Sequence, residues 1–138
     1  MIEWDSDLGR AARDLLARER VAWLTTVRSD GTPWPNPVWF LPDGETVLVY
    51  SLGGSAKNRH LARNSRVTLH FNGEGWNRDI AVFDGHAEVD GSAAPPDTND
   101  AYLAKYGDDI PRIGMTPEEY AGRYSIALRV TLTGLRGH

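Results

Sequence analysis

The stretch VLVYSLGGSAKNRHLARNSRVTLHF, residues 47–71, predicts two strands joined by a loop and a helix. At both ends of the stretch, side chains alternate between two faces, which is the period of a β-strand. Between the strands, two glycines precede Ser55, a residue type that often caps the first turn of a helix. We therefore expect a helix over about residues 56–64, followed directly by the next strand.

The first turn of this helix carries positive charge where negative charge is usual. Lys57 and Arg59 occupy its second and fourth positions, where the helix dipole repels cations. Gly53 and Gly54 allow close backbone approach, Ser55 offers a hydroxyl, and the first amides point outward, which together make the parts of a phosphate site. The alternative is that both cations extend into water, at a cost of about 0.3–1 kcal/mol each. The loop is not a Walker loop, because no Gly-Lys-Ser/Thr run follows the glycines.

Outside this stretch the sequence predicts one amphipathic helix, four more strands and two short helices. The amphipathic helix covers residues 6–19, the strands cover 21–27, 37–41, 78–90 and 126–133, and the short helices cover 100–106 and 117–122. A glycine within the 78–90 strand suggests a bulge or bend there. Six strands with short turns favour an antiparallel barrel over a parallel sheet. We expect one domain, residues 1–138, that is mainly β with peripheral helices.

The composition excludes several classes of function. With a net charge of -4 and scattered basic residues, the chain offers no electrostatic footprint for nucleic acid or a membrane surface. No apolar run approaches the roughly 18–20 residues of a membrane span, and the N-terminus lacks a signal-peptide layout, so we expect a cytoplasmic protein. Cysteine is absent, and the four histidines lack the spacing of metal ligands. No side chain is marked as a catalytic acid, base or nucleophile, so redox chemistry would need a bound cofactor.

Two further segments are candidates for a binding site. Three prolines in PWPNPVWF, residues 33–40, predict an edge or interrupted strand with free backbone groups that can meet a flat ligand. Trp34 and Trp39 add aromatic surface there, although packing in the core explains either one equally well. The glycine-bracketed turn NGEGWNRD presents Trp76 and Arg78, which suit the mouth of a pocket or simply the tip of a hairpin.

These elements, in this order, resemble the pyridoxamine 5'-phosphate oxidase-like superfamily of split β-barrels. In that superfamily a strand ends in a small hydroxyl residue, and Ser-x-Lys opens a helix followed by Leu-x-x-Asn-x-x-Val-x-Leu. The corresponding residues of this chain are Ser51, Ser55, Lys57, Leu61, Asn64, Val67 and Leu69. The resemblance covers about residues 8–90. Within it, DGTPWPNPVWFLPDGETVLVYS is similar to a segment of the branch that uses the deazaflavin coenzyme F420 in place of FMN.

The resemblance implies a six-stranded split barrel of the FMN-binding type that forms a homodimer, with a cofactor at each of two sites across the interface. The residues that would bind the cofactor phosphate are Lys57, Ser51, Ser55, Ala56, Asn58 and Arg59. Those that would lie along the tricyclic ring, largely through main-chain contacts, are Pro37, Val38 and Trp39. Those that would border the substrate or the neighbouring subunit's cofactor are Trp76 and Arg78.

Two departures from the family's FMN-using oxidases bear on the cofactor. Those oxidases carry Arg-x-Val-Leu-Leu-Lys on the second strand, where this chain has NPVWFL, so two cations that help to hold FMN are missing. The arginine-containing segment that binds pyridoxal phosphate is also missing, since only VTLTGLRGH follows Arg129. The resemblance therefore implies an F420-dependent oxidoreductase that transfers hydride from the reduced coenzyme to an electron-poor small molecule, such as an enone or quinone. The alternatives are an FMN-binding flavoprotein of the same fold and a carrier that holds the deazaflavin without turnover.

Overall fold

The computed structural model describes residues 1–73 and 79–138, which contain five α-helices, one short 3-10 helix and seven β-strands. The helices are α1 (Asp7–Arg18), α2 (Ala56–Arg63), α3 (Asp100–Tyr106), α4 (Asp109–Arg112) and α5 (Pro117–Arg123), with the 3-10 turn at Pro96–Thr98. The strands are β1 (Ala22–Val27), β2 (Pro33–Val38), β3 (Leu41–Asp43), β4 (Thr46–Ser51), β5 (Arg66–Phe71), β6 (Ala81–Val89) and β7 (Ile126–Gly137). None of the helices in these ranges is long and apolar enough to span a membrane.

The seven strands form one antiparallel sheet in the order β2-β1-β5-β6-β7-β4-β3. β2 and β3 therefore lie at opposite edges, yet only Trp39 and Phe40 separate them in the chain. Because three residue steps span at most about 10 Å, the two edges must approach each other, and the sheet curls into a half-barrel. This closure confirms the predicted mainly β, split-barrel class.

The predicted number of strands is wrong: the sheet has seven strands instead of six. The strand predicted over residues 37–41 is in fact the end of β2 and the beginning of β3. At Trp39 and Phe40 the chain crosses from one edge of the sheet to the other, so no single strand can continue through them. The other predicted helices and strands match the observed elements closely, and the four-residue helix α4 is an addition.

The bend predicted in the 78–90 strand is present in β6. The register between β6 and β7 shifts between Asp84 and Gly85, which marks a β-bulge or irregularity. A Cβ on Gly85 would lie 2.3 Å from the backbone oxygen of Thr131, closer than any real contact. Glycine is therefore required by the close approach of the two strands.

Strand β4 separates two hydrophobic clusters. Its residues Val47 and Val49 belong to the main core, which α1 and the inner face of the sheet enclose. Leu48 and Tyr50 point the other way, into a second cluster formed with helices α3, α4 and α5. The strand is buried on both faces, which explains why it is a nearly continuous apolar run.

All five tyrosines of the chain lie in or against the second cluster. They are Tyr50, Tyr102, Tyr106, Tyr120 and Tyr124. Local capping fixes the ends of the helices that carry them: the Asn99 side chain accepts from the Tyr102 N–H, and Thr116 and Glu119 form a reciprocal capping box on α5. The cluster thus packs residues 99–124 onto the outer face of β4.

Candidate functional site

A small pocket brings together four of the residues that the sequence predicts for the cofactor. It has a volume of about 150 Å³ and lies where the end of β2 meets α2 and α5. The predicted residues in its wall are Pro37, Val38, Trp39 and Lys57. Four further residues of the wall were not predicted from the sequence: Tyr50, Ile113, Tyr120 and Tyr124.

Lys57 supplies the positive charge of this pocket. Its Nζ donates a hydrogen bond to Ser55 Oγ at 3.0 Å, so the side chain folds back over the helix start instead of extending into water. Partial burial of the side chain lowers the pKa of its ammonium group below the ordinary value. None of the ion pairs between described residues includes Lys57. The structure therefore keeps a partly desolvated cation at the pocket, and none of the carboxylates in residues 1–73 and 79–138 pairs with it.

Ser55 caps α2 with its backbone but not with its side chain. Its φ of -64° and ψ of 142° are those of an N-cap residue, as predicted. Its hydroxyl accepts from Lys57, and it makes no side-chain cap to the helix amides. The first turn of α2 therefore has no side-chain acceptor from its N-cap residue, and such amides are well suited to bind an anion.

The next two polar residues of α2 hold the loop that precedes it. Asn58 Nδ2 donates to the backbone oxygen of Leu52 at 2.8 Å, and Arg59 donates to that of Gly54 at 3.2 Å. Asn58 Oδ1 is buried and has no hydrogen-bond partner among the described residues. A Cβ built on Gly54 would meet nothing within 4 Å, so a ligand has room to approach the backbone there.

The remaining predicted residues that the structure describes lie outside the pocket wall. Ser51 is fully buried at the end of β4, and Ala56 is the first residue of α2. Arg59 is exposed. Trp76 and Arg78 lie outside the described residues. The structure thus places Pro37, Val38, Trp39 and Lys57 in one pocket wall. The other predicted residues at the start of α2 are connected to this wall only through the chain around Lys57.

Trp39 is fixed by aromatic packing. Its ring stacks on Tyr106 at a centroid distance of 4.7 Å and an angle of 4°, and on Tyr120 at 5.6 Å and 20°. Packing therefore accounts for much of the indole surface, as one of the two sequence explanations held. The rest of this half-buried side chain reaches the pocket.

Side chains of α3 form hydrogen bonds with the backbone N–H and C=O of Phe40, which follows Trp39 in the connection between β2 and β3. The Tyr106 hydroxyl accepts from the Phe40 N–H at 2.9 Å and lies 2.7 Å from the Arg20 carbonyl, to which it donates. Lys105 Nζ donates to the Phe40 carbonyl at 2.8 Å. These bonds replace the strand partners that Phe40 lacks and hold the pocket wall in place.

Two of the missed pocket residues belong to a network of tyrosines. The hydroxyls of Tyr120 and Tyr102 lie 2.6 Å apart, and burial raises the pKa of Tyr120 to about 12, so its phenol is neutral at pH 7. Tyr124 stacks on Tyr120 at 4.3 Å. Tyr120 and Tyr124 are four residues apart, as are Tyr102 and Tyr106, so each pair lies on one helix face. This spacing is the sequence signal from which an aromatic cluster could have been predicted.

The side chains of the pocket suit a ligand that carries both an aromatic ring and a negative charge. Lys57 contributes a cation to the wall and is bonded to Ser55 Oγ at the start of α2, and the other side chains of the wall are apolar or aromatic. Among residues 1–73 and 79–138, no three His, Asp or Glu residues are placed to hold a metal ion. At about 150 Å³ the pocket is smaller than the roughly 300–1,000 Å³ of a typical small-molecule site, so most of a tricyclic ligand would extend beyond it.

A larger cavity of about 670 Å³ lies elsewhere, over β1, β5 and β6. Residues such as Thr25, Thr68 and His86 line it, and it includes none of the predicted site residues that the structure describes. The pocket with Lys57 therefore remains the candidate site.

Comparisons with solved structures find the same fold. An F420 reductase is 27% identical, with a TM-score of 0.68 over 90% of this chain and 94% of its own. A FAD-binding protein of Mesorhizobium loti is 18% identical, with a TM-score of 0.68 over 91% and 88%. A heme storage protein of Vibrio cholerae is 16% identical, with a TM-score of 0.66 over 96% and 95%. At such identities the last two show the fold alone.

Among proteins of curated function, no sequence matches this chain. The sequence profile of the family described as pyridoxamine 5'-phosphate oxidase matches residues 8–136, nearly the whole chain. The resemblance drawn from the strand, the Ser-x-Lys helix start and the following strand is thereby confirmed. The chain belongs to the pyridoxamine 5'-phosphate oxidase family.

Proposed function

We propose that the protein binds coenzyme F420 and transfers hydride from its reduced form to an electron-poor small molecule, such as an enone or quinone. The observation that carries the proposal is Lys57, a half-buried cation joined to Ser55 at the start of α2 and placed in one pocket with the end of β2. The 27% identity to an F420 reductase supports the same choice of cofactor.

The donor set fits the phosphate of such a cofactor. The Lys57 ammonium, the Ser55 hydroxyl and the amides near Ala56 converge at one helix terminus, where a negative charge is stabilised. Arg59 and Asn58 shape the loop that borders this terminus. In this proposal Ser51 supports the loop from its buried position at the end of β4.

The apolar wall fits the tricyclic ring. Pro37, Val38 and Trp39 would lie along it, and Trp39 is already held by its two tyrosine neighbours. When bound, the deazaflavin ring supplies the hydride, and the chain's own residues bind the cofactor, orient it and exclude water. Trp76 and Arg78 remain proposed for the substrate side.

We further propose that two copies of the chain complete two sites. One chain encloses a pocket of only about 150 Å³, which covers too little of a tricyclic ring to exclude water from it. A second copy placed against the open side would supply the missing wall. This is the homodimer that the family resemblance implies.

The proposal sets aside pyridoxamine oxidation, because the chain has NPVWFL where the true oxidases carry two cations on the second strand. FMN binding on the same fold and storage of the deazaflavin without turnover are the outcomes that the experiments below must separate from hydride transfer.

The role of Lys57 is tested by Lys57→Ala, with Arg63→Ala as the matched control because Arg63 is an exposed cation in the last turn of the same helix. A charge-assisted hydrogen bond contributes roughly 1.5–3 kcal/mol, so we expect Lys57→Ala to weaken F420 binding by about ten- to a hundredfold. Arg63→Ala should leave the affinity nearly unchanged.

A second ligand isolates the phosphate. The same deazaflavin with an unphosphorylated ribityl chain should bind the wild type and Lys57→Ala with similar affinity, since it presents no charge to the ammonium group. Equal losses for both ligands would show that Lys57 does not bind the phosphate, and an unchanged F420 affinity would remove Lys57 from the site.

A further inference from the structure

Among the described residues of the pocket wall, only three side chains carry a hydroxyl group. They are those of Tyr50, Tyr120 and Tyr124. A hydroxyl can donate a hydrogen bond, and then a proton, to a carbonyl oxygen that gains negative charge during a reaction, which is the role of a general acid. The hydrogen bonds that each hydroxyl already makes decide which of the three is available to a ligand.

Two of the three hydroxyls are engaged inside the protein. The Tyr50 hydroxyl donates to the backbone oxygen of Ala94 at 2.5 Å and accepts from Asn99 Nδ2 at 2.9 Å. The Tyr120 hydroxyl lies 2.6 Å from that of Tyr102, and both residues are almost completely buried. Neither hydroxyl can bind a ligand without breaking a hydrogen bond inside the protein, which costs free energy.

Tyr124 differs from both. The hydrogen bonds of tyrosine hydroxyls in residues 1–73 and 79–138 involve Tyr50, Tyr102, Tyr106 and Tyr120, but not Tyr124. Tyr124 is also the only one of the five tyrosines that is half-buried instead of buried. Its ring is fixed nevertheless, because it stacks on Tyr120 at 4.3 Å and 16°. The structure thus holds the ring of Tyr124 in the wall and leaves its hydroxyl open to a ligand.

The other polar side chains of the described wall are those of Lys57 and Trp39. Lys57 Nζ is bonded to Ser55 Oγ at the start of α2, and in the proposed site it binds the cofactor phosphate. The Trp39 indole N–H can donate a hydrogen bond but is not an acid. By elimination, Tyr124 is the proton donor of this wall that remains for a substrate.

We propose that Tyr124 is the general acid of the hydride transfer and protonates the carbonyl oxygen of an enone substrate. It shares the wall with Pro37, Val38 and Trp39, along which the cofactor ring is proposed to lie. This inference rests on the proposed function and names a catalytic residue for it.

The proton and the electrons balance as follows in the enone. Hydride forms a C–H bond at the β-carbon, and the electron pair of the C=C bond shifts toward the carbonyl group. The O–H bond of Tyr124 breaks as its proton moves to the carbonyl oxygen, which stabilises the charge that develops there. The resulting enol converts to the ketone in water, and the Tyr124 phenolate regains a proton from water.

The test compares two variants that each lose one hydroxyl from the tyrosine cluster. Tyr124→Phe keeps the ring that stacks on Tyr120. Tyr102→Phe is the matched control, because Tyr102 belongs to the same cluster but does not line the pocket. The probes are coenzyme F420 and, as the enone, cyclohexenone. Circular dichroism of each variant checks that the fold is intact.

We expect Tyr124→Phe to lower kcat/KM for the reduction of cyclohexenone by about a hundredfold, the lower end of the range for a general acid, because water can partly replace the phenol. A second readout needs no turnover. The dissociation constant of cyclohexenone from the protein with oxidised F420 should rise about two- to tenfold, the range of one neutral hydrogen bond. The affinity for F420 should be unchanged, and Tyr102→Phe should keep the wild-type values.

Each other outcome overturns something definite. Wild-type kcat/KM and cyclohexenone affinity in a folded Tyr124→Phe overturn the role of Tyr124 and leave the proposed function standing. Equal losses in Tyr124→Phe and Tyr102→Phe also overturn that role, since they show a general weakening of the cluster. Binding of F420 without reduction of cyclohexenone overturns the general acid, because no hydride then reaches an enone. Failure of the wild type to bind F420 overturns the proposed function and the general acid together.

Discussion

Replacing Tyr106 with Phe removes one hydroxyl from the joint between the two edges of the sheet. Phe retains the ring that stacks on Trp39 at 4.7 Å, so the aromatic packing is preserved. The substitution deletes the acceptor of the Phe40 N–H, which lies 2.9 Å from the hydroxyl in a fully buried position. The Phe40 carbonyl keeps its bond from Lys105 Nζ at 2.8 Å.

The expected cost follows from these partners. Leaving one buried N–H without an acceptor costs about 1–3 kcal/mol, whereas the Arg20 carbonyl belongs to an exposed residue and can accept from water. We therefore expect Tyr106→Phe to lower the free energy of unfolding by about 2 kcal/mol. For a chain of 138 residues, the specific entropy of unfolding converts this into a decrease in Tm of about 7 °C.

Urea and thermal unfolding followed by circular dichroism measure the effect. Tyr124→Phe is the control, because Tyr124 is only half-buried and lines the pocket, so removing its hydroxyl leaves no buried backbone group unpaired. It should change the free energy of unfolding by less than about 0.5 kcal/mol. If the free energy of unfolding falls equally in the two variants, the hydroxyl of Tyr106 does not stabilise the connection between β2 and β3, and the closure of the sheet has another cause.

Two further predictions concern stability. Burial lowers the pKa of Lys105 from 10.5 to about 8, so the unfolded chain binds this proton more tightly than the folded chain does. Between pH 8 and 10.5, the free energy of unfolding of the wild type should therefore rise relative to that of Lys105→Met. Parallel pH profiles of the two proteins in urea unfolding would contradict this. Gly85→Ala should lower the free energy of unfolding, measured in urea, by about 1–3 kcal/mol, because the new Cβ would meet the Thr131 oxygen at 2.3 Å. Gly91→Ala is the control and should be nearly neutral, because a Cβ there meets nothing within 4 Å.

Local signals predicted the part of the fold that surrounds the site. Strand alternation, two glycines and the Ser55 cap fixed the succession of β4, α2 and β5, because each depends on neighbours within a few residues. The crossing at Trp39 and Phe40 escaped prediction. It depends on closure of the whole sheet, which brings together strands far apart in sequence.

The site was predicted in the same uneven way. Lys57 was found because its charge conflicts with its place on the helix, and such a conflict is visible in the sequence. The hydrogen bond from Lys57 to Ser55 was not foreseen, since it depends on a side-chain rotamer. Tyr50, Tyr120 and Tyr124 reach the pocket only because residues 99–124 fold back onto β4, which no local pattern specifies.

The central claim is that the pocket beside Lys57 binds a deazaflavin. The most direct test is a parallel titration of the purified apo-protein with coenzyme F420 and with FMN, following the quenching of tryptophan fluorescence, for which Trp39 lies in the pocket wall. The account predicts tight binding of F420 and clearly weaker binding of FMN. Tighter binding of FMN, or no binding of either, would contradict it.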